Sequence, residues 1–270
     1  MATPSFALPF DELKSFLDEK SKQYNRPDFI ASDPLQIPKS FSVKEDIEIA
    51  GFLAAVIAWG QRKTIISNGL KIMELMGNTP FDFVMSYTEK DLEKLQNFVH
   101  RTFNGQDLEQ FVRSLRMLYE HHGGLENAFA TCLTDTAVQT GISRFKQLFF
   151  KEMRYPRTLK HLPDPQRGSA AKRINMFLRW MVRDDSSGVD LGVWKNISPS
   201  ELSCPLDVHT GNVARSLGLI TRTQNDAKAL TELDANLRLF DSADPVKYDF
   251  ALFGLGVFEG FGKENLTKKA

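Results

Sequence analysis

The chain of 270 residues is 42% apolar and 25% charged, an ordinary globular mix that excludes a disordered or collagen-like chain. Its length leaves one large domain or two fused lobes open. Lysine plus arginine (34) balances aspartate plus glutamate (34), which argues against a uniformly basic surface, and two widely separated cysteines, Cys132 and Cys204, exclude a disulfide framework, a four-cysteine zinc site and an iron–sulfur cluster.

Apolar residues recur at helical spacing in nearly every segment, and no β-branched run is bounded by tight hairpin turns, so the expected fold class is all-α. The spacing predicts helices over 10–23, 44–59, 63–76, 80–85, 89–99, 106–121, 137–152, 170–182, 208–217, 226–240 and 245–253. Thr79 before Pro80 and Asp244 before Pro245 each place a capping side chain ahead of a proline at the first helical position. The helix from Lys44 is apolar on all faces after its first turn, as befits a helix buried at the centre of a large helical domain. Its apolar run, Ile49 to Trp59, is about half of what crosses a bilayer. The start, MATPSFALPFDELKS, has no signal-peptide pattern, so a cytoplasmic protein without a membrane partner is expected.

Two proline- or serine-rich stretches, 26–41 and 184–206, read as connections. Charge is uneven across these divisions. Residues 151–183 hold nine basic residues against Glu152 and Asp164, a net of +7, while residues 1–50 are net −3. A basic segment in a neutral protein suits an anionic partner such as a nucleic-acid backbone; the alternative is a set of long side chains that merely solvate helix faces.

Within that segment lies LPDPQRGSAAKRINMFLRWMV, residues 162–182: a glycine-containing turn feeding a helix that opens on Lys172. Such a turn presents free backbone N–H groups to phosphate, and a lysine near Arg167 and Arg173 can act as a nucleophile, although a lysine there is ordinarily a surface group. Downstream, CPLDVHTGNVARSLGL places Asp207 where a helix N-cap belongs. A capping carboxylate sits in the positive end of the helix dipole, where it stays ionised and able to stabilise a developing cation. His209 forms an Asp-x-His pair with Asp207, but two ligands alone are a poor metal site, and a structural role is expected for the histidine.

Together, Gly168-Ser169-Ala170-Ala171-Lys172, the apolar helix that follows, and Pro205-Leu206-Asp207-Val208-His209 resemble the helix-hairpin-helix DNA glycosylase superfamily, closest to its archaeal 8-oxoguanine branch. The whole sequence also looks like an uncharacterised bacterial family of that superfamily. The resemblance spans about residues 43–256. It implies a single two-lobed helical domain: lobe A about 43–183, a helical barrel ending in the hairpin, and lobe B about 1–42 plus 184–270. The catalytic pair would meet across the cleft between them. By the same resemblance Lys172 attacks C1′ of a damaged nucleotide and Asp207 assists. Asp249 and Phe253 line the base pocket, and Gln61 lies in a loop that approaches DNA. Ala170 departs from the pattern at the second hairpin glycine, and residues 164–167 lengthen the hairpin.

Base excision requires the target to leave the stack, hence flat or apolar faces and a few polar readers. Trp59, Met176 and Phe253 are the candidate faces, Gln61 and Asp249 the candidate readers, and Arg62, Lys63, Arg167, Gly168 and Arg173 the candidate backbone contacts. The expectation is a monomeric glycosylase with abasic-site lyase activity on an oxidised purine in double-stranded DNA, requiring no cofactor and no metal. The alternatives are a nucleic-acid-binding protein that kept the fold without turnover, and a metal-dependent hydrolase built on Asp207 and His209.

Overall fold

The computed structural model describes residues 6–184 and 186–262. Its elements in chain order are α1 (Phe10–Tyr24), α2 (Gln36–Lys39), α3 (Lys44–Val56), α4 (Arg62–Leu75), α5 (Pro80–Ser86) and α6 (Glu89–Glu93), then a two-stranded antiparallel hairpin of β1 (Val99–His100) and β2 (Phe103–Asn104). There follow α7 (Gly105–His122), α8 (Gly124–Leu133), α9 (Val138–Phe149), α10 (Lys172–Val182), α11 (Val208–Ser216), α12 (Ala227–Phe240) and α13 (Tyr248–Phe258). The protein is mostly helical, as the periodicity predicts. Among the described residues no helix is long and apolar enough to cross a membrane.

Helix α3 is buried on every face from Ile47 to Val56. Phe52 at its centre meets Phe111, Phe145, Phe149 and Phe177, with ring centroids 5.3–6.0 Å apart. Aromatic rings at such spacing add to the area they bury, so α7, α9 and α10 are gathered around one residue. Gly51 lets α10 approach closely, because a Cβ there would lie 2.8 Å from the Met181 side chain. A second apolar cluster joins Leu13 and Leu17 of α1 to Leu206, Val213, Leu233 and Leu255 near the C-terminus, and α13 packs on both α1 and α11. Leu35 and Ile37, with Val189, Trp194, Ile197 and Leu202, belong to the first cluster, so both connecting stretches lie against the middle of the chain.

Four local expectations change. The helix predicted over 89–99 ends at Glu93 and gives way to the hairpin, whose register pairs Val99 with Asn104 and His100 with Phe103. Asn104 then caps α7 in a reciprocal box with Asp107, which demands extended backbone before Gly105. Helix α8 is additional. Gly123, at φ +68°, closes α7 by donating to Leu118 O and opens α8, a helix that buries Leu125, Ala128, Phe129, Cys132 and Leu133. Helix α2 occupies part of the stretch read as a connection. Finally, Pro80 and Pro245 do start helical turns, but neither Thr79 nor Asp244 caps with its side chain. Asp46 accepts from the Phe81 N–H instead (2.8 Å), and Asp244 is taken by Arg183 Nε at 2.8 Å.

Candidate active site

The turn that delivers α10 is held from both sides. Asp164 accepts from Ser143 Oγ (2.8 Å) and the Gln166 N–H (3.2 Å), and Gly168 O accepts from Ala227 N (3.0 Å). Gly168 takes φ +92°, and the last left-handed residue is Ala171 at φ +48° rather than Ala170. An alanine at position 170 therefore costs the turn no conformational freedom that it uses. Buried Asn175 fixes the junction, donating to Ala170 O (2.9 Å) and accepting from Gln139 Nε2 (3.1 Å). Lys172 is thereby placed as the first residue of α10.

Asp207 is the N-cap of α11, with Oδ1 accepting from Thr210 N at 3.0 Å. Its backbone carbonyl accepts from Asn225 Nδ2 (2.8 Å), an approach that only a glycine at 211 leaves room for. The other carboxylate oxygen lies 3.8 Å from Lys172 Nζ, and the two side chains are 32% (Lys172) and 24% (Asp207) exposed. Capping and pairing are thus done by different oxygens of one carboxylate. Lys172 Nζ also lies 3.8 Å from Met176 Sδ, one turn along α10.

The pair opens onto a cavity of about 360 Å³. Its lining is rich in aromatic side chains, with Tyr24, Phe29, Trp59, Phe250, Phe253 and Phe258 among them, beside aliphatic groups such as Ile65, Met176 and Val257. Trp59 is held by three neighbours, with the His100 ring edge-on at 4.9 Å, the His161 ring stacked at 5.9 Å and the Arg173 guanidinium 4.7 Å above it. His100 donates from Nε2 to Trp59 O (3.1 Å) and accepts at Nδ1 from Asn68 (2.8 Å), and burial lowers its pKa, so it is a neutral imidazole. His161 Nε2 lies 3.1 Å from Asp107 Oδ2. Burial alone would raise the Asp107 carboxyl, but the contacts from His161, the Asn104 N–H and Thr158 hold it down at about 2.

At the inner end, Asp249 is buried against Arg179 and Cys204 Sγ (3.8 Å). Burial pushes its carboxyl up to about 6 against the pull of Arg179, which also meets Asp190 at 3.1 Å.

Of the sequence-predicted residues, Lys172, Asp207, Trp59, Met176, Asp249, Phe253 and Arg62 come together around this cavity. Gln61 does not: it is exposed at the N-cap position of α4, outside the cavity lining. Lys63, Arg167 and Gly168 are exposed. Arg173 is turned inward and donates to Val56 O and to His161 O (3.3 Å), and burial alone brings its pKa down to about 10. Its guanidinium is occupied by protein carbonyls rather than presented to phosphate. His209, read as structural, is exposed at the rim, edge-on to Phe253 at 6.4 Å. No group of three or more His, Cys, Asp or Glu side chains is arranged to hold a metal among the described residues, so Asp207 and His209 gain no third ligand.

Sequence reasoning missed Arg179, Tyr24, Phe29, Phe250 and Phe258. Arg179 was within reach, because Lys172, Met176 and Arg179 fall on one helical face. The basic segment also looks different in three dimensions. Arg154 meets Glu109 (3.2 Å), Arg157 meets Asp107 (2.6 Å), and Arg183 meets Asp190 (3.2 Å) as well as Asp244. With Lys172 and Arg179, five of its nine cations face carboxylates.

Comparison with curated proteins and with solved structures gives no match. A family model described as "Protein of unknown function (DUF2400)" matches residues 33–258, a span that includes Lys172, Asp207, Trp59 and Asp249 but neither Tyr24 nor Phe29. The chain belongs to the DUF2400 family.

Proposed function

We propose that the protein is a DNA glycosylase with abasic-site lyase activity, acting on an oxidised purine in duplex DNA. The observation that carries this reading is the Lys172–Asp207 pair, 3.8 Å apart at an aromatic-walled cavity. The likeness to helix-hairpin-helix glycosylases rests on the residues themselves. A flat heterocycle extruded from the duplex would stack on the aromatic walls, with Asp249 and Arg179 offering polar contacts to its edge.

Breaking the C1′–N bond leaves positive charge on the sugar, which the Asp207 carboxylate stabilises electrostatically. A proton passes from Lys172 Nζ to the departing base, which leaves with the electron pair of the broken bond, and the freed amine forms a bond to C1′. Opening of the sugar ring gives an imine between Lys172 and C1′. Loss of a C2′ proton with expulsion of the 3′-phosphate completes strand cleavage by β-elimination.

Borohydride reduction of the imine tests the proposal. Wild-type protein should be trapped covalently on a duplex bearing an oxidised purine, Lys172→Gln should abolish the adduct, and Asp207→Asn should reduce its rate by about 10²-fold or more, the usual cost of removing a charge-stabilising group. A broad lesion panel without any lysine-dependent adduct removes the enzymatic reading. Salt-dependent duplex binding that survives Lys172→Gln, with no cleavage by wild type, would instead make this a binding protein that kept the site.

A further inference from the structure

We infer that Tyr24, at the C-terminal end of α1, is a specificity-determining residue whose ring forms part of the wall of the base cavity. This rests on the glycosylase reading and adds to it a base-contacting residue from a helix that precedes the family-matched region.

The ring lines the cavity and is fixed from several sides. It lies over Gly254 of α13, where any Cβ would collide with it. It stacks on Phe258, with centroids 5.6 Å apart and planes 22° from parallel. Its hydroxyl donates to Glu259, which is held in turn by Lys20 Nζ at 2.6 Å. Burial and the Glu259 carboxylate push the phenol up to about 12, so the donor keeps its proton at any working pH. A tyrosine that only joined α1 to α13 would not need to line the cavity, since Leu13, Leu17 and Leu255 already bury that contact. A rigid aromatic side chain in the wall of a 360 Å³ space restricts the planar base that can enter it. The favoured occupant is a planar heterocycle that fits between Tyr24 and the Lys172–Asp207 pair.

The test compares two duplexes, one carrying the oxidised purine and one carrying a preformed abasic site. The abasic site needs Lys172 but places no base in the cavity. Tyr24→Ala should lower single-turnover base excision by about tenfold or more, the scale of one lost base–aromatic stack. The same variant should retain borohydride trapping on the abasic duplex, which also shows that it is folded. Tyr24→Phe, which keeps the ring and loses the tie to Glu259, should restore excision. Equal effects of Tyr24→Ala on both duplexes, or no effect on either, overturn the assignment while leaving the glycosylase reading intact. A wild-type protein trapped on neither duplex overturns that reading and this assignment with it.

Discussion

The segment that delivers Asp207 is tied down by another buried carboxylate, and replacing that group should change stability in a pH-dependent way. Asp234 of α12 accepts the Cys204 N–H at 2.9 Å, three residues before Asp207. Burial pushes its carboxyl from 3.8 up to about 6, against hydrogen bonds from Ser203 and Cys204 and the attraction of Arg238. The folded protein therefore holds this proton to higher pH than the unfolded chain. Below about pH 4 both states are protonated and the group is neutral in its effect. Between about pH 4 and 6 the unfolded carboxyl ionises while the folded one keeps its proton, so stability falls across that window, by about 3 kcal/mol at most from roughly two pKa units at 1.36 kcal/mol each, and above pH 6 the buried charge leaves it there. Asp234→Asn preserves an acceptor for Cys204 and cannot ionise. Its stability relative to wild type should be near zero well below pH 4, rise between about pH 4 and 6, and level off near that limit above pH 6. The lost partner of Arg238, 3.9 Å away on a side chain 33% exposed, subtracts little. Urea denaturation of both proteins at pH 4.5, 5.5 and 7.5 isolates the group, because every other carboxylate contributes equally to the two. A difference that is constant with pH, or a variant less stable than wild type at pH 7.5, would falsify the account.

Two other outcomes follow from the packing and the charges. Phe52→Ala should cost about 3–5 kcal/mol by denaturant midpoint, the range for emptying a fully buried aromatic site; a loss under about 1 kcal/mol would mean that α7, α9 and α10 do not depend on that ring. Duplex binding followed by fluorescence anisotropy across salt should show a log–log slope between about −3 and −5, as expected for Arg62, Lys63 and Arg167 with or without Lys151 and Lys160. A slope near about −8, as if all nine cations of residues 151–183 met phosphate, would require the ion pairs with Glu109, Asp107, Asp190, Asp207, Asp244 and Asp249 to open.

What was readable in the sequence follows from how local each signal is. Helix α3 declares itself, because a helix apolar on all sides has only the centre of the molecule to occupy. Helix α8 carries an equally legible pattern in Leu125, Ala128, Phe129, Cys132 and Leu133, but the Gly123-Gly124 pair that precedes it looks like a terminator alone. In fact Gly123 ends one helix and starts the next. The hairpin at 99–104 is shorter than any pattern can reveal. Its causes are the burial of His100 against Trp59 and the capping of α7 by Asn104, the first a tertiary contact and the second a cap that fixes only where α7 begins.

The site divides along the same line. Lys172 and Asp207 each stand at the start of a helix, so local sequence fixes their position on it, and the resemblance supplies the expectation that they meet. The partners of the basic segment are not local: Arg157 finds Asp107 fifty residues upstream, and Arg179 finds Asp249 seventy residues downstream. A charge sum over consecutive residues counts such pairs on one side only. The +7 of residues 151–183 therefore overstates the positive field that this region presents, while the chain-wide balance of 34 against 34 understates how unevenly the remaining cations are placed. With Arg173 turned onto Val56 and His161, the glycosylase proposal leaves phosphate contacts to exposed cations on separate elements, Arg62 and Lys63 on α4 and Arg167 in the turn before α10, with Lys151 and Lys160 earlier in the same segment. On the glycosylase proposal, so few dispersed cations would contribute little general affinity for nucleic acid, and recognition would rest chiefly on what the cavity accepts. On the same proposal the aromatic walls, Tyr24 among them, bear on specificity more directly than the net charge of residues 151–183.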